Sequence, residues 1–531
     1  MVYICRDIIH EISKYLNILD IIELSHGSTF LKKSVRISKY DRSDQKYVIL
    51  TDDKLKSEIF RDLKILYVND CISQNGISDL RLNKLILSKN THIKDISFMT
   101  TLKELDISLF SKLTDDGIMG LKLTKLDISI NRIITRVNHL TTLRSLIIHH
   151  SSNLVNETYD NLTELDISGN SVNKINIKGM TKLRILNIYD NDIIGNDDIY
   201  NLNLDELNIN DNIIISDISR MINLTKLQCG GNSVMTSNKI RSIKLKYLNL
   251  NNNKYITDIS GMNNLKTVIC TNNSVLSNIT NLQLEELNMS GNTKITDLRW
   301  MSTLRVLNIE YDSQMMNSGI DNLNLVNLNA NYTKMITRVN GMTNLQILNA
   351  SNSNITTEGI LGLNLIKLSM NNNKYITNLN WMTSLIELDA NYETELNNTG
   401  LPNISLRKLY INYNDNITDV SLCINLRVLD ISNNSQITND GIKGINLKIL
   451  YARNTPGITD VSWMSNLRVL DISYNSGVGD DGIKNLRLTE LHSMYNQKIR
   501  NICWMKSLKI LYTDKINIKY IYNLNNVSVY F

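Results

Sequence analysis

Tyr410, Tyr451, Arg453, His492 and Tyr512 recur at multiples of about twenty residues, and Val428, Ile449, Val469 and Ile510 lie in the same short alternating segments. Tyrosine and arginine beside exposed aliphatic groups form anchor chemistry: rigid area at low entropic cost, with polar tips that fix orientation. The other side chains with chemical potential are not arranged to use it. The histidines His10, His26, His92, His139, His149, His150 and His492 lack metal-ligand spacing. His149 and His150 are neighbours, and adjacent residues of a strand face opposite ways, so a shared metal is not expected. Cys5, Cys71, Cys229, Cys270, Cys423 and Cys503 are scattered without a C-x-x-C pair and read as small core residues in a reducing compartment. There is no phosphate-cradling glycine loop and no G-x-S-x-G. The expectation is a protein that binds without catalysing and needs neither metal nor cofactor.

Composition narrows the partner. The 531 residues carry 57 basic against 52 acidic side chains, a net charge of +5. A nucleic-acid binder would need a concentrated basic face, so none is expected as partner. No stretch approaches the length of an apolar membrane span, and Arg6, Asp7, His10 and Glu11 break up any signal-peptide pattern. The expected setting is cytoplasmic or nuclear.

The elements that must position these residues are set by a repeat. The unit L-x-x-L-x-[I/L/V]-x-x-N starts at Leu63, Leu82, Leu102 and so on to Leu508, giving 23 units with gaps of 19 to 21 residues; LNNVSV from Leu524 reads as a shortened last copy. Within a unit the two leucines and the aliphatic residue point one way along a strand, and the residues between them point the other. The closing Asn can satisfy backbone groups where the chain leaves the sheet. It stands at 90, 131, 170, 191, 212, 232, 253, 273, 292, 373, 414, 434, 475 and 496, with Cys71 in its place in the first unit. Units alternate between two return segments, one with Met three residues before the next Leu (Met99, Met180, Met301, Met464), the other with D-G-I or a relative of it. The true period is therefore about forty residues. So few residues per unit leave room only for short turns and single-turn 3₁₀ or α segments on the far side, not long helices. Trp300, Trp381, Trp463 and Trp504 all precede the Met column, a place that favours packing between return loops over a partner-facing stripe.

This pattern resembles the leucine-rich-repeat family over residues 63–531. The resemblance implies an α/β solenoid: a horseshoe with a parallel sheet on the concave side, short turns or 3₁₀ segments on the convex side, and a partner on the concave face. Residues 1–40 do not fit the repeat and read as short helices, with 41–62 as linker or N-terminal cap. Asp7, Ile8, Ile9, Ile12, Tyr15, Leu16, Asp20, Ile21, Ile22 and Leu24 resemble an F-box, although the family's early Pro and late Trp are missing. The resemblance implies that Ile8, Ile9, Ile12, Leu16, Ile21, Ile22 and Leu24 contact a Skp-type adaptor of a cullin–RING ubiquitin ligase while the repeats hold a protein substrate. Without that arm the chain reads as a stand-alone scaffold with a helical cap.

Along the outward sheet positions the sequence predicts a gradient. Asp106, Asp127 and Asp166, with Glu104 and Glu164 and Lys125 as partial offset, make the early part acidic. The middle is amide: Asn187, Asn208, Gln228, Asn249, Asn288, Asn308, Asn329 and Asn349. The last third, carrying the aromatic and aliphatic residues named first, is the expected contact surface.

Overall fold

The computed structural model describes residues 37–40, 50–68, 70–150, 154, 159–169, 175–311, 314–402, 405–514 and 527–530. The chain divides into two compact units, 1–264 and 265–531. Both are built in the same way. The L-x-x-L-x-I spacing leaves three residues per unit free to pair, and each unit of sequence forms one three-residue strand, such as Val428–Asp430 or Ile449–Tyr451. Neighbouring strands pair parallel and in register: Val428 faces Ile449, Leu429 faces Leu450 and Asp430 faces Tyr451. The middle leucine of each strand is buried, and the residue after the strand, Ile431 or Ala452 here, is buried behind it. Among the described residues the first unit has eleven strands, from Lys39–Tyr40 to Tyr247–Asn249, and the second fourteen, from Thr267–Ile269 to Ser528–Tyr530. This is the leucine-rich-repeat solenoid that the spacing implies.

The sheet starts earlier than the count of leucines. Lys39–Tyr40 pairs with Ile65–Tyr67, and Tyr40 is fully buried. The next strands follow without interruption to the end of the first unit.

Return segments follow the two-unit period. Alternate ones carry single helical turns: Asn196–Ile199, Ser237–Ile240 and Asn317–Ile320 are α-helical, while Asp116–Ile118, Glu358–Ile360, Asp440–Ile442 and Asp481–Ile483 are 3₁₀; the segment between Thr267–Ile269 and Glu286–Asn288 carries none. The intervening segments carry the Met column. Met99, Met180, Met301, Met382, Met464 and Met505 are buried, with Leu140 and Cys423 in equivalent places.

Polar groups of the strand ends are satisfied by the Asn column. Asn131 Nδ2 donates to the Ile107 carbonyl of the preceding repeat at 2.9 Å, and its Oδ1 accepts from the N–H groups of Ile133 and Ile134. Asn253 and Asn496 repeat the pattern on the carbonyls of Cys229 and Ile472. A buried amide thus ties the end of one strand to the turn of the next, where an unpaired backbone group would cost about 1–3 kcal/mol.

Three positions of that column differ from the sequence reading. Asn232 and Asn475 are exposed, because their turns hold one extra residue that brings Ser233 and Ser476 into the buried seat. Cys71 is exposed too, and Ile72 is the residue that turns inward. The reading of cysteines as core residues is right for Cys229, Cys270 and Cys423, where burial pushes the Cys270 and Cys423 thiols up to about 12. Cys503 is exposed: it sits outside the apolar column in a turn where its N–H donates to Asn501 Oδ1. Cys5 and Asn170 lie outside the described residues.

Candidate partner-binding surface

The outward face of each sheet is read off the third residue of every strand. That residue has a local duty. Its side-chain oxygen accepts from the backbone N–H two residues on, an Asx turn that starts the exit from the sheet. Asn249 accepts from Asn251, Asn308 from Glu310, Asn349 from Ser351 and Asp127 from Ser129. The asparagines of the amide middle have this bond as their local role, while beyond Gln228 the Gly230 N–H donates to Asn210 Oδ1 instead.

In the first unit the acidic face is only partly open. Glu104 is paired with Lys84 at 2.8 Å. Among the described residues Asp106 forms no ion pair, and burial pushes its carboxyl above the usual range. His149 Nε2 lies 2.9 Å from Asp166 Oδ2, which also accepts from Asn187 Nδ2 at 2.8 Å. The Asp166 hydrogen bond holds the His149 pKa above the usual 6.5 against the effect of burial. Burial pushes Asp166 up, but bonds from His149, Asn187 and Ser168 together outweigh it and leave the carboxyl below its usual range. His150 does not face inward. It takes a left-handed conformation, φ 45°, and points to solvent beside His149's strand end.

A raised histidine pKa contributes stability that is present below the unfolded value and lost as pH rises through the folded one. The lowered Asp166 contributes above its unfolded value and loses that contribution in acid. The pair therefore acts between the two. His149→Ala is expected to lower the denaturation midpoint more at pH 5.5 than at pH 8.5. The difference should stay below about 1 kcal/mol because the imidazole is partly solvated. Equal shifts at both pH values in urea titrations would show that the pair contributes nothing.

In the second unit the predicted residues come together on one face. Tyr410, Tyr451, His492 and Tyr512 occupy the same column, and Val428, Ile449 and Val469 the adjacent one; all are half-buried. Rings stack along the end of the column, His492 on Tyr512 at 4.3 Å and Tyr512 on Tyr530 at 4.8 Å. His492 Nε2 also lies 2.7 Å from Glu490 Oε1. Arg453 is exposed and lies over the Tyr474 ring, 4.2 Å from its centroid. Ile510 is the exception. It is only 4% exposed. It stands in the column of Val428, Ile449 and Val469, between Glu490 and Ser528, but at that exposure it is no part of an open surface.

Two features of this face escape a reading confined to aromatic and aliphatic residues. Asp389, Asp430 and Asp471 alternate with the tyrosines in the same column and make it acidic as well as aromatic. The step of twenty to twenty-one residues that finds Tyr410 and Tyr451 also finds them. The second feature is a set of exposed tyrosine pairs in left-handed turns: Tyr311 with Tyr332, Tyr392 with Tyr413, and Tyr474 with Tyr495, with ring centroids 4.8, 5.8 and 5.2 Å apart. The pair returns at every fourth repeat. Of the tryptophans, Trp300, Trp381 and Trp504 are half-buried in the return segments and Trp463 is 37% exposed. Ile8, Ile9, Ile12, Leu16, Ile21, Ile22 and Leu24 lie outside the described residues. Among the described residues no cluster of His, Cys, Asp and Glu could hold a metal, and no helix is long and apolar enough to cross a membrane.

The family pattern described as Leucine Rich repeat matches residues 241–263, 422–445 and 464–486. No curated protein matches the sequence. Among solved structures, the chain is similar to the TLR13–ssRNA13 complex, with a TM-score of 0.53 and 18% identity over 88% of this chain and 80% of that one. It is also similar to a leucine-rich-repeat protein of Leptospira interrogans (TM-score 0.35, 19% identity, 77% of this chain and 95% of that one). A third likeness is to the functional domain of InlJ from Listeria monocytogenes (TM-score 0.35, 20% identity, 62% and 72%). The first of these supports the fold, and at such identities the likeness extends no further.

Proposed function

We propose that this chain is a protein-binding scaffold that catalyses nothing itself and holds its partner on the outward sheet face of residues 408–512. The observation that carries this reading is the row of half-buried Tyr410, Tyr451 and Tyr512 beside Val428, Ile449 and Val469. A solvated sheet face has no folding reason to collect rings and aliphatic groups in adjacent columns, whereas an interface core does. The test is a photo-crosslinking amino acid placed at Ile449, with Trp463 on a return segment as control. Exposed to a cell lysate, the Ile449 position should give a discrete cross-linked species that disappears with Tyr410→Ala plus Tyr451→Ala. Identical products from both positions would refute the reading.

The finer role, substrate receptor of a cullin–RING ligase, rests on the F-box-like pattern of Ile8, Ile9, Ile12, Leu16, Ile21, Ile22 and Leu24. Such a receptor would act by raising the local concentration of substrate near the ubiquitin-loaded enzyme. Co-purification with a Skp-type adaptor, abolished by Ile9→Asp plus Ile22→Asp, is the expected result. A wild-type chain that does not bind the adaptor leaves the scaffold to act alone.

A further inference from the structure

The Asx turn at the strand end needs an acceptor oxygen, not a charge. Asn288, Asn308, Asn329 and Asn349 make that turn with a neutral amide. Asp430 and Asp471 make it too, accepting at 2.9 Å from the N–H groups of Ser432 and Ser473. Each carries a negative charge that the turn bond does not require. That charge is costly where it stands. Burial pushes the Asp430 carboxyl above its usual range, and Asp471 and Asp389, two strands away on either side, push it the same way.

No cation answers it. Among the described residues neither Asp430 nor Asp471 forms an ion pair. Glu387, in the adjacent column, shows what compensation looks like here: Lys367 at 2.6 Å and Lys408 at 3.0 Å. Arg453, close to both carboxylates in sequence register, is engaged on the Tyr474 ring instead.

The surroundings fit an organic cation. Tyr410 and Tyr451 occupy the strands on either side of Asp430, and ring faces attract ammonium and guanidinium groups. Val428, Ile449 and Val469 run alongside and offer apolar contact to the stem of a long basic side chain. A shared metal ion does not fit. The two carboxylates stand two strand spacings apart, about 10 Å, whereas an ion such as calcium binds oxygens at about 2.4 Å.

We infer that the outward face of residues 408–492 takes a basic segment of a partner protein, with lysine or arginine side chains seated on Asp430, between Tyr410 and Tyr451, and on Asp471, between Tyr451 and His492. This rests on the reading of that face as the contact surface. A chain in the polyproline II conformation, common in unfolded peptides, returns to the same face every three residues, about 9 Å on, so a suitable probe has a basic residue at every third position.

The probe is a fluorescein-labelled nonapeptide, Lys-Ala-Leu repeated three times, titrated with the full chain and followed by anisotropy; Glu-Ala-Leu repeated three times is the control. The lysine peptide should bind saturably, and more weakly as salt rises from about 50 mM to about 500 mM. Asp430→Asn plus Asp471→Asn should weaken it by about tenfold or more without lowering the thermal midpoint, since asparagine keeps the turn bond and removes a costly charge. Unchanged binding by the double variant, or equal binding of the glutamate peptide, overturns the proposal. So does a wild-type chain that ignores the lysine peptide. If that chain still cross-links at Ile449, only the basic preference falls; if it gives no cross-link, the contact surface itself falls.

Discussion

Gly441→Ala is expected to destabilise the second unit by about 3 kcal/mol, the range of a strained, overpacked site. Gly441 sits in the 3₁₀ turn Asp440–Ile442, and a Cβ there would lie 2.1 Å from the Thr418 carbonyl oxygen. The obstacle is backbone, so no rotamer change relieves it. The close approach has a purpose: Val420 N–H donates to the Gly441 carbonyl at 2.8 Å and links one return segment to the next. Leu298 to Gly319, Val339 to Gly359, Leu379 to Gly400 and Val461 to Gly482 are the same link in other double units. Opening the gap to admit a methyl group breaks it. Repeats contact only their neighbours, so the damage should stay local. Hydrogen exchange should show lost protection at Val420 and Leu429, with residues near Thr267 unaffected. A denaturant midpoint within about 0.5 kcal/mol of wild type, the range of a neutral surface change, would mean that the return segments separate at little cost.

Most of this architecture is legible in the sequence because the repeat confronts every residue type with the same geometric question twenty times over. The inward columns, the Met column and the 3₁₀ turns follow from spacing alone. What spacing could not supply were single-residue insertions. An extra residue between Ile472 and the buried seat exposes Asn475 and brings in Ser476, and the sequence motif there looks regular. Ile510 is a different case: alternation sets which face a residue takes, but not how much of it is covered. The acidic members of the candidate site were legible in principle. Asp430 and Asp471 share the column of Tyr410 and Tyr451, and only the structure shows that neither forms an ion pair among the described residues and that the turn does not require their charge.

Asn434→Ala should cost about 3–5 kcal/mol, since breaking a buried network orphans several groups at once. Asn434 is fully buried. Its Nδ2 donates to the carbonyls of Asn414 and Ile417 at 2.6 and 2.9 Å, and its Oδ1 accepts from Gln436 and Ile437 N–H at 3.0 and 2.9 Å. Alanine leaves two carbonyls and two N–H groups facing a small cavity. The network is continuous, because Asn414 in turn donates to the Ala390 carbonyl and to Thr394 Oγ1. Double substitution of Asn414 and Asn434 should therefore depart from additivity. The molecule also indicates the rescue. Thr333 and Thr455 hold the same seat in regular turns, and Thr455 Oγ1 donates to the Ile431 carbonyl at 2.9 Å. Asn434→Thr should recover part of the loss by keeping one donor and one acceptor. Asn434→Leu, which fills the space but satisfies nothing, should be at least as damaging as alanine. Urea denaturation of the four proteins would rank them wild type, threonine, then alanine and leucine. A leucine variant as stable as the threonine one would show that the seat is held by packing volume rather than by hydrogen bonds.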